Sequence, residues 1–340
     1  VIYSLIKQIY LSESTKKTKF LILRFSSIGD IVLTSPVVRC IKLQYPGAEV
    51  HFCTKKLFES LVVHNPYIDK VWLLDEDING LVGKLKTESF DYIIDLHHNL
   101  RTLWIKLNLW RVPAFSFDKL NIKKWLYVRF KWNAMPSIHI VDRYMDTLAA
   151  LHVVNDHQGL EFFYEPTQKV NIADAFNFAG KAYYVFVIGA KFKTKQLPMN
   201  HVAAWIKRLT LPVILVGGKE DVNDADLLCK MLPNVPLANA VGKYNLAQSA
   251  SIIEQSAGVF TNDTGMMHIA AAFRKKIVSF WGNTTPALGM YPYQAATSII
   301  IENKALNCRP CSKIGFKSCP KGHFNCMQSL TPEQFMPEGF

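Results

Sequence analysis

The chain has 340 residues, enough for two domains of ordinary size. Hydrophobic residues make up 49% and charged residues 19%, a balance that excludes a disordered chain and permits large cores. The net charge of +12 calls for a polyanionic partner (nucleic acid, an anionic membrane surface or a phosphorylated substrate) without choosing among them.

Residues 1–11 read as a short amphipathic lead-in, and 12–19 are polar and basic. No small-x-small cleavage site follows, and no stretch approaches about 18 consecutive apolar residues, so the expectation is a cytoplasmic protein without a spanning helix. From there strand and helix alternate. An apolar strand is expected at 20–25, and a helix at 28–44 with Ile31, Val32, Ser35, Val38 and Ile41 near one stripe. A strand at 49–53, a helix at 56–64, a strand at 71–74, a helix at 78–88 and a strand at 92–96 follow. This spacing implies a parallel sheet covered on both faces.

A basic aromatic stretch occupies 101–133, with Arg101, Trp104, Lys106, Trp110 and Arg111, then Lys123, Lys124, Trp125, Tyr127, Arg129, Lys131 and Trp132. Such interleaving suits a membrane interface or an anionic substrate, and it equally suits a basic helix that packs its tryptophans inward. Single-stranded nucleic acid uses the same residue types but is the weaker fit, and no nucleic-acid partner is expected. A helix is expected at 139–151, and the polar stretch 166–180 reads as a domain boundary.

The alternation then restarts, with a strand at 183–188, a helix at 201–209, a strand at 213–216, and helices at 221–231 and 245–255. A strand at 257–260 runs into Asn262-Asp263-Thr264-Gly265, where a helix containing Met267, His268 and Ala270 begins. A last strand at 276–280 ends in Gly282-Asn283-Thr284-Thr285-Pro286. The fold class is therefore α/β, with two Rossmann-like lobes at 1–165 and 181–305 and a Cys-rich segment at 306–340. Ligands of such sheets bind beyond the carboxyl ends of the strands, here in a cleft that the lobes would share.

The turn at Asp263-Thr264-Gly265 is the sharpest chemical signal. A strand that stops there and becomes a helix presents backbone N–H groups and a positive dipole end, a site for phosphate. The Asp263 carboxylate cannot favour phosphate directly, so it is expected to cap the helix or to accept from a ligand hydroxyl or amine. His268, on the first turn, is either a packed core histidine or a site residue. The loop 189–198 carries Lys191, Lys193 and Lys195 beyond a strand end, well placed for phosphates and equally readable as a solvated loop. Glu220, past Gly217-Gly218, could accept from a ribose diol. In the first half, Ser27-Ile28-Gly29-Asp30 follows the first strand. Asp30 is either a base for a hydroxyl nucleophile or an early-turn acid on the helix dipole. There is no G-x-G-x-x-G and no P-loop. The two D-x-D pairs, Asp75/Asp77 and Asp224/Asp226, are not taken as metal sites, since one reads as a turn and the other lies on a helix where i and i+2 diverge.

The motifs S-S-I-G-D-I-V-L-T-S-P (26–36), D-T-G-M-M-H-I-A-A-A (263–272) and W-G-N-T-T-P (281–286), with the Lys195 loop, occur in the order and spacing of one family. The chain resembles the heptosyltransferases of glycosyltransferase family nine over residues 20–330. The resemblance implies a GT-B fold, two Rossmann-like lobes facing a central cleft. It implies an inverting, metal-independent transfer of heptose from ADP-L-glycero-D-manno-heptose to a hydroxyl of the lipopolysaccharide inner core. The partners implied are an ADP-heptose-like donor, a lipid-A/inner-core-like acceptor and an anionic membrane surface, with no cofactor required for catalysis. Peripheral placement at the inner face of the inner membrane follows. By resemblance Asp30 is the general base, Lys195 lies by the donor diphosphate, and Asp263, Thr264, Gly265 and His268 form the donor turn. Glu220 lies near the adenosine ribose, and Ser27, Gly29 and Arg101 are acceptor-side. The chain departs from the family where Ala190 and Lys191 replace small hydroxyl residues. Rival readings are a related transferase with another nucleotide sugar and a non-catalytic binding protein of the same fold.

Of seven cysteines, Cys40, Cys53 and Cys229 are expected to be buried singly. Cys308-x2-Cys311-x7-Cys319-x6-Cys326, with His323 inside it, could close a tetrahedral structural zinc site. Disulfides are disfavoured in a cytoplasmic chain, and an iron–sulfur cluster lacks supporting context.

Overall fold

The computed structural model describes residues 17–337 apart from 177, 179 and 296. The amphipathic lead-in expected at 1–11 lies outside the described residues. Along the chain run β1 (Thr18–Leu23), α1 (Ile28–Val32), α2 (Ser35–Gln44), β2 (Ala48–Lys55), β3 (Lys70–Leu74), α3 (Ile78–Lys86), β4 (Tyr92–Asp95), α4 (Leu100–Asn108), β5 (Ala114–Ser116), α5 (Asn121–Phe130) and α6 (Ile140–Met145). Then come α7 (Ile172–Phe176), β6 (Tyr184–Val187), α8 (Met199–Ile206), β7 (Val213–Val216), α9 (Val222–Met231), β8 (Leu237–Asn239), α10 (Leu246–Glu254), β9 (Gly258–Asn262), α11 (Gly265–Ala272), β10 (Lys276–Trp281), β11 (Ser298–Glu302), α12 (Asn325–Gln328) and α13 (Pro332–Phe335). No helix among the described residues is long and apolar enough to cross a membrane.

The strands form two parallel sheets, as the alternation requires. One has the order β3-β2-β1-β4-β5 and the other β11-β10-β9-β6-β7-β8. The described residues divide into two compact units: residues 17–26, 37–117 and 144–156, and residues 27–36, 118–143 and 157–337. The stretch expected to form one lobe at 1–165 thus supplies residues to both units, and Asp30 belongs to the second.

Several elements differ from expectation for local reasons. The helix read as continuous over 28–44 breaks at Leu33-Thr34, just before Pro36 in the first turn of α2. Proline has no N–H to continue the ladder. Side chains bond the carbonyls there, Ser35 Oγ donating to Val32 O (2.8 Å), which Pro36 cannot reach, and Thr34 Oγ1 to Ile31 O (2.7 Å). The stretch Lys56–Leu61 and the second half of the helix expected at 139–151, Asp146–Leu151, are 3₁₀ turns. The polar stretch 166–180 is tied to α10: Ser251 Oγ accepts from Val170 N (3.0 Å), and Gln255 Nε2 donates to Val170 O (3.0 Å). Cys40 and Cys53 are buried, and Cys229 is half-buried.

The first core packs Leu21, Leu23, Phe25 and Ile93 of the sheet region against Leu81, Leu85 and Ile105. The second is more aromatic. Phe186 stacks on Phe260 at 5.6 Å and on Phe280 at 5.9 Å, and Trp205 of α8 meets Phe280 edge-on at 5.0 Å. Burying rings of 150–250 Å² each fixes the central strands β6, β9 and β10, whose carboxyl ends carry the chemistry below.

Candidate functional site

At the end of β9, Asn262 is fully buried and acts as a fastener. Its Oδ1 accepts from Leu197 N (3.0 Å), and its Nδ2 donates to Ile188 O (3.0 Å), tying the lysine loop and the end of β6 to the start of the Asp263-Thr264-Gly265 turn. The next residue, Asp263, accepts on Oδ2 from Lys195 Nζ (2.6 Å) and from Thr284 Oγ1 (2.8 Å). Of the loop's three lysines, then, Lys195 reaches the turn. Lys193 pairs instead with Asp224 at 3.1 Å, and Lys191 is exposed. The expectation that Asp263 caps the helix is corrected: Thr264 is the N-cap of α11, its Oγ1 accepting from Met266 N (3.2 Å). The carboxylate is held sideways by Lys195 and Thr284, so the capping of the α11 N–H groups falls to Thr264, which meets that of Met266.

The first turn of α1, which carries Asp30, packs against this turn. A Cβ on Gly29 would stand 2.5 Å from His268 Cδ2 and 3.3 Å from Gly265 Cα, and one on Gly265 would stand 2.7 Å from Ile28 Cγ2 and 3.0 Å from the Gly29 nitrogen. Two glycines thus let the first turns of α1 and α11 meet backbone to backbone. Asp30 is half-buried, and its Oδ2 accepts from Ser27 Oγ (2.7 Å) and Ser27 N (3.2 Å). Its negative charge, with that of Asp263, acts on His268. Burial nevertheless dominates and pushes His268 down to about 4, so the ring is neutral near pH 7. Ser27, Gly29, Asp30, Lys195, Asp263, Thr264, Gly265 and His268 are thereby brought to one neighbourhood. Lys124 on α5 feels it too, held at about 8 chiefly by burial and by the charge of Arg143, with Asp30 pulling the other way.

Two expected residues stand elsewhere. Glu220 is exposed on the 3₁₀ turn Lys219–Asp221 past β7. Its neighbour Asp221 is the buried acid, accepting from Gly218 N (2.9 Å) and raised above the usual carboxylate range by burial. Its carboxylate fills the corner where a Cβ on Gly189 or Gly217 would lie. Arg101 is exposed on α4, in the first unit. The D-x-D pairs have structural partners: Asp77 caps α3 through Asn79 N (2.9 Å), and Asp226 accepts from Asn239 Nδ2 (3.2 Å).

The Cys-rich segment braces both loops. Arg309 donates to Gly282 O (2.5 Å), Thr284 O (2.8 Å), Trp281 O (3.0 Å) and Asn303 O (2.6 Å), and pairs with Glu302 at 2.9 Å. Cys311 N donates to Asn283 O (2.9 Å), and Phe316 N to Thr194 Oγ1 (2.8 Å), one residue before Lys195. Among the described residues no group of three or more His, Cys, Asp or Glu side chains is arranged to hold a metal ion, and the four thiols expected to close a zinc site stand as follows. Cys326 is buried beside Met327 in the second core, the Cys311 thiol donates to Cys308 O (2.9 Å), and Cys308 Sγ lies 3.9 Å from His323 Nε2. Burial pushes Cys311 and Cys326 up to about 11, keeping both protonated in this arrangement. Thr284, Asn262, Asp221 and Arg309 were not assigned roles from sequence. Thr284 and Asn262 lay in quoted runs.

Three comparisons bear on this geometry. Residues 79–319, more than half of the chain, match the family model described as glycosyltransferase family 9 (heptosyltransferase). The chain is similar to lipooligosaccharide heptosyltransferase 2 of Haemophilus influenzae, with 23% identity covering 92% of this chain and 96% of that protein. It is similar to lipopolysaccharide heptosyltransferase 1 of Pseudomonas aeruginosa, with 24% identity over 88% of this chain and 87% of that one. Its fold matches the solved structure of the E. coli ADP-heptose lipopolysaccharide heptosyltransferase II with a TM-score of 0.67, at 18% identity over 93% of this chain and 99% of that chain.

Proposed function

The chain belongs to glycosyltransferase family 9, the heptosyltransferases, and from that premise we propose that it transfers heptose from an ADP-linked donor to a hydroxyl of a lipopolysaccharide inner-core acceptor, with inversion and without a metal. It is a glycosyltransferase of GT-B fold. The observation that carries the finer reading is the close approach of Gly29, next to Asp30, to Gly265 at the amino end of α11, where Asp263 holds Lys195 and Thr284.

In this mechanism the Asp30 carboxylate takes the proton of the acceptor hydroxyl as its oxygen attacks the anomeric carbon. The bond from that carbon to the donor diphosphate breaks, and ADP leaves from the opposite face. The charge that develops on the diphosphate falls on the Lys195 ammonium and on the N–H groups and dipole of α11, equivalent to about half an elementary charge. Asp263 and Thr284 keep Lys195 aimed, so little reorganisation is needed as charge develops. Neutral His268 adds no competing positive charge and fills the space under Gly29. Glu220 receives the ribose diol of the adenosine. The positive charge that a divalent ion would bring to the diphosphate is supplied here by lysine and helix. On this reading the enzyme works peripherally at the cytoplasmic face of the inner membrane, where a lipid-linked acceptor is presented.

A panel of nucleotide sugars tests the donor. Thermal shift should be largest with ADP-heptose, and a preference for a uridine or guanosine sugar would overturn the assignment.

A further inference from the structure

Helix α5 is an unusual element of the second unit, because none of its ten residues is buried. Ile122 is 76% exposed, Trp125 56%, Phe130 60% and the following Trp132 65%. Ile122, Trp125 and Arg129 recur at i, i+3 and i+7, so they share one face, with Lys123 and Phe130 beside it. Trp125 and Phe130 meet edge-on at 5.3 Å, leaving a contiguous aromatic surface. Single exposed apolar residues are ordinary, but four large ones on one short segment are not. From 119 to 133 the chain carries Lys119, Lys123, Lys124, Arg129 and Lys131 and no acid.

We propose that the outer face of α5 docks on an anionic phospholipid bilayer, with Ile122, Trp125, Phe130 and Trp132 at the headgroup–acyl boundary and Lys123 and Arg129 against lipid phosphates. Amphipathic rings with cations around them match that boundary, where one side is apolar and the other wet and negative. A second copy of this chain is a poor occupant, since a two-fold contact would set the same cations against each other on a molecule of net charge +12. Lys124 stands two residues from Ile122, on the opposite, half-buried side of the helix, and there it feels Asp30. A bilayer on the outer face would therefore lie about one helix diameter, roughly 10–12 Å, beyond Lys124. The purpose of this contact rests on the lipid-linked acceptor proposed above, whereas the contact itself does not. In the first unit, α4 carries its own exposed stripe of Leu100, Leu103, Trp104 and Leu107.

Co-sedimentation of the full chain with phosphatidylethanolamine vesicles containing phosphatidylglycerol tests the proposal, with phosphatidylcholine vesicles and poly-uridine RNA as competitors. The chain should bind the anionic vesicles at low salt, with a blue shift of tryptophan emission. Trp125→Ser/Phe130→Ser/Trp132→Ser should weaken partition about tenfold or more, and Lys123→Gln/Arg129→Gln about fivefold per cation. If the aromatic variant loses its thermal transition, the charge variant carries the test. Transfer to a soluble, de-acylated acceptor should be unchanged in either variant, while transfer to acceptor in vesicles falls. Binding by the variants equal to the unsubstituted chain, no binding to anionic vesicles, or a preference for RNA would overturn the docking face. Absence of heptose transfer with vesicle binding intact would count against the proposed reaction alone.

Discussion

Each parallel sheet ends in a lysine–aspartate pair, and the two pairs differ in what is left over. In the first unit Asp95, at the end of β4, is fully buried. Its Oδ1 accepts from His97 N (3.1 Å) and His98 N (2.7 Å), and its Oδ2 pairs with Lys106 at 2.8 Å. Lys106 also donates to Ser116 Oγ (2.7 Å), so the pair is closed on itself. In the second unit Asp263 uses Oδ2 for Lys195 and Thr284, and Oδ1 has no hydrogen bond among the described residues. A helix N-terminus lies beside it, and α1 brings Asp30 to the same turn. A carboxylate saturated by its own fold holds structure together. One that is aimed but unsaturated, next to a positive dipole end, is available to a ligand.

Substitutions can break this comparison. Lys195→Met should reduce turnover about 10²- to 10³-fold, because it removes charge from the departing diphosphate. Steady-state rates at saturating acceptor check it, and a loss confined to thermal stability would make the second pair as structural as the first. Lys106→Met should do the reverse, costing about 3 kcal/mol of unfolding free energy in urea by leaving a buried carboxylate unpaired, with turnover nearly unchanged. The smallest effect is a pH dependence. His268 and His139 are pushed down, mainly by burial, to about 4 and about 3, so they stay neutral in the fold at pH values where unfolded imidazoles charge. The unfolded chain then binds more protons, and the stability these rings contribute is complete above about pH 6.5 and lost as pH falls toward 4. Urea midpoints should drop between about pH 7 and pH 5. A flat profile would mean that the rings charge within the fold.

The central strands were legible because parallel sheets bury both faces, which writes runs such as Phe20–Ile22 and Val213–Val216 into the chain. The edge strands β5, β8 and β11 were not, being short or half-exposed. Helices α4 and α5 read only as a basic aromatic stretch, since much of their apolar surface faces outward and gives no core-facing period. At the site, Asp30, Lys195 and the Asp263 turn were found as local patterns at strand ends. Their partners were not: Thr284 lies 21 residues after Asp263, and Arg309 reaches the 281–284 loop from a segment whose visible signal was cysteine. The expected zinc site drew on spacing alone, and spacing says nothing of the bracing role that Arg309 gives the same segment. Nothing local says that Gly29 and Gly265 approach each other, which is why Asp30 was assigned to a different lobe.

The most direct test is Asp30→Asn, which keeps the shape of the side chain and an oxygen to accept from Ser27 while removing the base. Turnover should fall about 10²- to 10⁴-fold, with donor affinity measured by calorimetry staying within about twofold. Unchanged turnover, or a loss of donor binding that accounts for the whole effect, would contradict a base held against the donor turn.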